Sequence, residues 1–200
     1  MQDFFKAFVT LFVIVDPIGT ALVFLALTKS LSAATAKSVA LRASLIAVSV
    51  LLFFALAGSW LLQQVGITVP AFRVAGGILL FVTAYRMVMS GESAESHPVT
   101  EVRAHDLAVF PLAIPLLAGP GCMTATILIS QRMSEQGTFM IAIAAILAVQ
   151  AVALACLLLA AALIKWLNQS LLNVLERLFG VLLAALAVQF IADGLRLLFT

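Results

Sequence analysis

Pro111-Leu112-Ala113-Ile114-Pro115-Leu116-Leu117-Ala118-Gly119-Pro120-Gly121 lies inside Leu107–Gln131, a run without a charged side chain. A helix that crosses hydrocarbon needs about 20 mostly apolar residues, and this run supplies them. It cannot supply one continuous helix. Each proline removes a backbone donor, clashes with the preceding turn and pushes the residue before it out of the helical region. The flanking glycines add torsional freedom. Carbonyls and amides freed in hydrocarbon must be satisfied, so such a break survives only where it lines a cavity or packs on protein. The stretch predicts a broken membrane span.

A second stretch of this kind stands about 103 residues upstream. Asp16-Pro17-Ile18-Gly19, in the middle of Ala7–Thr28, falls on Gly119-Pro120-Gly121 when one half of the chain is slid over the other. Arg73-Val74-Ala75-Gly76 falls on Arg177-Leu178-Phe179-Gly180 at an offset of 104, and Thr28 on Ser130 at 102. The longest polar stretch, Ser90–Asp106, lies between the halves. The expected organisation is residues 1–90 as a first three-helix repeat, 91–106 as a cytoplasmic connection and 107–200 as a second three-helix repeat. Three spans per unit is an odd number, so the second unit enters the membrane from the opposite side. Inverted repeats with broken helices at midplane are the architecture of many secondary transporters.

The remaining spans follow from composition. Hydrophobic residues make up 64% of the 200 and charged residues 10%, against roughly 45–50% and 25% in soluble domains. That excludes soluble, disordered and nucleic-acid-binding classes. Ala43–Phe72 and Gln136–Ile164 carry no charge; Thr68–Met89 includes Arg73 and Arg86, and Leu178–Phe199 includes Asp193 and Arg196. The expectation is an all-α membrane protein of six transmembrane helices, with helices 1 and 4 broken. The opening segment Met1–Lys6 has no net side-chain charge and Asp16-Pro17 interrupts the apolar run, so the first span is expected to be retained rather than cleaved as a signal peptide. With the N-terminus outside, the inner side holds Lys29, Lys37, Arg42, Arg86, Arg103, Lys165 and Arg177, and the outer side Lys6, Arg73, Arg132 and Arg196. This bias places both termini outside, in the periplasm, and the polar connection inside.

The two breaks carry the candidate chemistry. A half-helix that restarts after a break presents amides suited to a carboxylate, and one that ends before it presents carbonyls suited to an ammonium group or cation. A zwitterion fits such a pair. The candidate substrate-binding residues are Asp16, Pro17, Gly19, Thr20, Gly119, Pro120, Gly121 and Thr124, with Thr126 beside them. Asp16 is the acid nearest the centre of any span, and a midplane carboxylate is costly unless it has a task. It can couple transport to H+ or Na+, or cap the half-helix that restarts at Pro17. The threonine hydroxyls can meet a carboxylate or bond back to the preceding turn. Gly76-Gly77 reads as a close helix crossing, Gln150 and Gln189 as cavity or interhelical groups, and Asp193 with Arg196 as an ion pair along one helix. His97, Glu101 and His105 are spaced by four in the polar connection and read as a solvated loop rather than metal ligands. Cys122 and Cys156 sit in apolar runs, so no disulfide framework or zinc site is expected. No metal or cofactor is expected, and no set of residues for intramembrane catalysis is present, so an enzyme is not expected.

Leu11-Phe12-Val13-Ile14-Val15-Asp16-Pro17-Ile18-Gly19-Thr20, followed by Phe24-Leu25-Ala26-Leu27-Thr28, resembles the first-span signature of the MarC family of integral membrane proteins. The stretch from Pro111 to Gly121 resembles that family's fourth-span motif, and Thr124 matches the threonine that follows it. Arg73-Val74-Ala75-Gly76-Gly77 and Gln189-Phe190-Ile191-Ala192-Asp193-Gly194-Leu195 extend the likeness over essentially the whole chain. Relatives often carry Asn at the position of Asp16, and many have a proline where this chain has Thr20-Ala21-Leu22-Val23. Members resembling small neutral amino-acid transporters imply movement of glycine, alanine or similar solutes across the inner membrane. A passive channel and a non-transporting membrane assembly protein are the competing expectations. Substrate, direction, coupling ion and oligomeric state stay open at this level.

Overall fold

The computed structural model describes residues 2–28, 31–89, 106–163 and 169–199. Apart from Asp106, the polar connection, with His97, Glu101 and His105, lies outside the described residues. The described residues form seven α-helices and one irregular helical segment: α1 Gln2–Val15, α2 Pro17–Thr28, α3 Ala33–Val65, α4 Val69–Met89, α5 Ala108–Leu117, α6 Pro120–Glu135, α7 Phe139–Leu163 and α8 Gln169–Phe199. The segment α5 is the irregular one. Among the described residues, four apolar stretches are long enough to cross a membrane: Gln2–Thr28, Ala33–Val65, Phe139–Leu163 and Arg177–Phe199. The α5–α6 pair, bent by 53°, makes a fifth. In α4 the apolar stretch is shorter, Val69–Val82. The chain is an all-α, multi-pass membrane protein.

Local chemistry explains the boundaries. Ser32 caps α3 by accepting from the Thr35 amide at 3.1 Å, and Gly66, at φ +71°, ends it. The second span therefore runs Ala33–Val65 rather than the expected Ala43–Phe72, because caps and not hydrophobicity set a helix's ends. Its 33 residues measure about 50 Å, longer than the ~30 Å of hydrocarbon, so it tilts or projects. Outward faces remain apolar: Leu45, Leu56, Trp60 and Met140 are all more than half exposed. In water that would be untenable; against lipid it carries no penalty.

Small side chains bring the centre together. Ala36, Ala40, Ala43 and Ala47 on α3 and Ala142, Ala145 and Ala153 on α7 are fully buried, and the two helices pack on each other. Without a hydrophobic force between helices in lipid, this close backbone approach supplies the van der Waals contact. The helices α1 and α2 pack on α7, while α5 and α6 pack on α3. A second, smaller apolar cluster joins Val23 and Ala26 of α2 to Leu80 and Ala84 of α4 and Leu183 and Ala187 of α8.

The pair α4–α8 is the most extensive helix contact. A Cβ built on Gly77 would lie 2.8 Å from Ile191 Cγ1 and 2.9 Å from the Ala187 carbonyl oxygen. One on Gly194 would lie 2.6 Å from Val74 Cγ2 and 2.9 Å from the Pro70 carbonyl oxygen. As residue numbers rise along α4, those of its partners in α8 fall, so the two helices are antiparallel. Gly77 marks the close crossing expected of it. Gly76 faces a different element, since a Cβ there would overlap the ring of Pro120 at the start of α6.

Candidate functional site

Both breaks are present, and they are built differently. The first is a single residue. α1 ends at Val15, Asp16 has φ +44°, and α2 restarts at Pro17. Proline at the first helical position has no amide to leave unpaired. The Gly19 amide donates to Asp16 Oδ1 at 3.0 Å, so the carboxylate caps α2. The Thr20 hydroxyl donates to the Val15 carbonyl at 3.0 Å and is buried. A Cβ on Gly19 would meet the Asp16 carboxylate, which accounts for glycine there. The bonds that hold this break come from its own sequence.

The second break is longer than the expected Gly119–Gly121. Phe110 (φ −133°, ψ 125°) and Ile114 (φ −126°, ψ 122°) are extended inside α5, each immediately before a proline. Both X-Pro bonds, Phe110–Pro111 and Ile114–Pro115, are cis. Ala118 is also non-helical, at φ −122° and ψ 62°, and its amide reaches back to the Ala113 carbonyl at 2.8 Å. α6 then begins at Pro120 with Gly119 as its cap residue, and no side chain caps it. The first-turn amides of Gly121 and Cys122 have no intrahelical acceptor by geometry, while the Met123 amide already bonds the Gly119 carbonyl at 2.8 Å. The Leu117 carbonyl is satisfied from another helix: Gln150 Nε2 of α7 donates to it at 3.1 Å. Gln150 Oε1 is buried without a partner among the described residues.

The two breaks line one cavity of about 260 Å³. Asp16, Gly19 and Thr20 reach it from the first break, and Pro115, Gly119 and Cys122 from the second. Its far wall is apolar and comes mainly from α8, through Phe179, Leu182, Leu183, Leu186 and Phe190, with Leu80 of α4. Asp16 is exposed towards it and Thr20 is buried at its edge. The remaining sequence candidates stand outside the lining. Pro17 is buried, Pro120 packs on Gly76, and Gly121 faces Phe190 and Ile14, which both line the cavity. The hydroxyl of Thr124 is buried with no partner among the described residues, and Thr126 is buried beside the Cys122 thiol.

A family model for MarC family integral membrane proteins matches residues 1–199. The chain belongs to the MarC family. Similar proteins of this family include a UPF0056 membrane protein of Methanocaldococcus jannaschii, 36% identical over 199 residues that cover 98% of this chain and 97% of the relative. The UPF0056 membrane protein YhcE of Escherichia coli is 35% identical, covering 98% of this chain and 93% of its own length. YvbG of Bacillus subtilis is 33% identical, covering 96% and 93%. No solved structure matches.

The MarC chain's apolar cavity wall carries no signal in the sequence: one phenylalanine or leucine among many looks like any other. Arg73 was also missed as a structural partner. Its guanidinium lies 3.5 Å from Asp193 Oδ2 across the α4–α8 contact and 5.5 Å from the centre of the Phe190 ring. Gln189 Nε2 donates to Asp193 Oδ1 at 2.9 Å. The spacing of Asp193 pointed along its own helix to Arg196; the ion pair with Arg73 adds a link between helices. The matching Arg73 and Arg177 of the two halves were the available hint. Among the described residues no cluster of metal-ligating side chains occurs.

Proposed function

We propose that this MarC protein is a secondary transporter of small neutral amino acids or similar zwitterionic metabolites, working by alternating access about its two helix breaks. One observation carries the reading: both breaks line one cavity, with the Asp16 carboxylate on one side and Gly119 and Cys122, at the start of the uncapped helix α6, on the other. Asp16 spends one oxygen on the Gly19 amide and turns its charge to the cavity, where it suits an ammonium group. The amides of Gly121 and Cys122 suit a carboxylate at the positive end of α6. A volume of about 260 Å³ lies below the ~300–1,000 Å³ of pockets for drug-sized ligands, and its apolar far wall disfavours a second charge. No nucleotide-binding loop is present, so the driving force is an ion or solute gradient, with Asp16 as the residue that takes up H+ or Na+. No cofactor and no catalysis enters this reading.

The same reading includes six spans in two inverted repeats. α4 lies antiparallel along α8 through most of its apolar length, so it crosses wherever α8 does. Its 21 residues measure about 32 Å, sufficient for the hydrocarbon. The mutual packing of each broken span on the long helix of the other half is the pattern a two-fold pseudosymmetry produces. In this reading the protein sits in the inner membrane with both termini outside. The test is solute flux into proteoliposomes with a panel of amino acids. Saturable uptake and counterflow of glycine or alanine are expected. Non-saturating flux would make it a channel, and no flux for any solute would end the transport reading.

A further inference from the structure

Phe190 occupies an unusual position. Its ring lines the cavity, and its Cζ lies 3.1 Å from where a Cβ on Gly121 would stand. That places the ring directly over the uncapped first turn of α6. The Arg73 guanidinium lies over the same ring, 5.5 Å from its centre. Arg73 is in turn tied to Asp193 at 3.5 Å, and Asp193 to Gln189 at 2.9 Å. Gln189, Phe190 and Asp193 all belong to α8, while Arg73 reaches across from α4. A cation over the ring is attracted to its negative face and holds it in place. Leu182, Leu183 and Leu186 have aliphatic side chains that no cation can hold in this way.

We infer that Phe190, fixed by Arg73 and Asp193, is the specificity-determining residue that sets the upper size of the solute. This rests on the transport reading above and adds to it the residue that discriminates. A solute whose carboxylate meets the first turn of α6 at Cys122, which lines the cavity, lies beside this ring. Small side chains fit beneath it; a branched or aromatic one collides with it. Swinging the ring away gives up the contact with Arg73, which biases it towards this position. The face over which Arg73 lies is also closed to the solute's ammonium, which leaves that group to Asp16.

The test compares uptake of alanine, leucine and phenylalanine by proteoliposomes carrying wild type, Phe190→Ala, Phe190→Leu or Arg73→Gln. The wild type is expected to favour alanine. Phe190→Ala is expected to raise the leucine-to-alanine uptake ratio about tenfold or more, the discrimination a few methylenes give in an apolar pocket. Phe190→Leu keeps bulk against Gly121 and should raise the same ratio by a smaller factor, which covers the case in which the alanine variant does not fold. Arg73→Gln leaves the ring in place but unpinned and should also relax the ratio. A simple loss of packing lowers uptake of all solutes together, and an unchanged ratio in Phe190→Leu overturns the inference while leaving transport intact. Absence of wild-type flux for every solute overturns the transport reading and this inference with it.

Discussion

Replacing Gly121 by leucine tests whether the uncapped turn of α6 is a binding surface or only a packing kink. The first added carbon would lie 3.1 Å from Phe190 Cζ and 3.6 Å from Ile14 Cγ2. Alanine is therefore tolerable if Phe190 yields by a few tenths of an ångström, and its gain over glycine in a helix, about 0.5–1 kcal/mol, offsets the crowding. Leucine must send its branched end between Ile14 and Phe190, and both of these line the cavity. Overpacking of this kind costs about 1–3 kcal/mol, which lowers Tm in detergent without preventing insertion. The same atoms occupy the space in front of the Gly121 and Cys122 amides. Uptake in proteoliposomes should fall by about 100-fold or more, equivalent to roughly 2.7 kcal/mol of lost solute binding. Gly121→Ala should retain most of the wild-type rate, which separates steric occlusion from any effect of glycine itself. Wild-type uptake by a correctly inserted Gly121→Leu protein would refute the reasoning and reduce the break to a kink.

Two further outcomes are expected. Asp16→Asn keeps the bond from the Gly19 amide, because asparagine caps about as well as aspartate, so Tm should change little. Gradient-driven accumulation should be lost while solute exchange persists, and identical accumulation-against-pH profiles in both proteins would leave Asp16 a cap alone. For topology, cysteines at Ser93 and Thr200 probed with an impermeant thiol reagent on intact cells should label at Thr200 only. Labelling at Ser93 alone would reverse the orientation.

Several features of the site were legible from residue types. Prolines at 17, 111, 115 and 120 cannot sit within a continuous helix, so breaks near these positions follow from backbone chemistry. Asp16 before Pro17 is a capping pair in any context, and the structure has that cap. The extent of the second break was less legible. Extended residues at Phe110 and Ile114 follow from the prolines after them, and Ala118 lies in the turn before Pro120. What the break packs against was not legible: Gln150 of α7 takes the Leu117 carbonyl, and Pro120 beds against Gly76 of α4.

Composition and the length of its apolar runs alone determined that this chain is a helical, multi-pass membrane protein, because a chain with 64% hydrophobic and 10% charged residues has too little polar surface to face water. They also placed the interruptions, since proline acts on its own backbone and the turn before it. Which interruptions meet, and what closes the space between them, was decided only by tertiary structure. Asp16 and Gly119 are far apart in the chain and share a cavity because α1–α2 and α5–α6 pack on opposite members of the α3–α7 pair. The wall opposite them belongs to α8, held along α4 by glycine crossings and the Arg73–Asp193 bridge. In an apolar chain every leucine and phenylalanine looks alike in one dimension. Only the close approach of helices, set by where side chains are absent, gives one of them a neighbour and therefore a role.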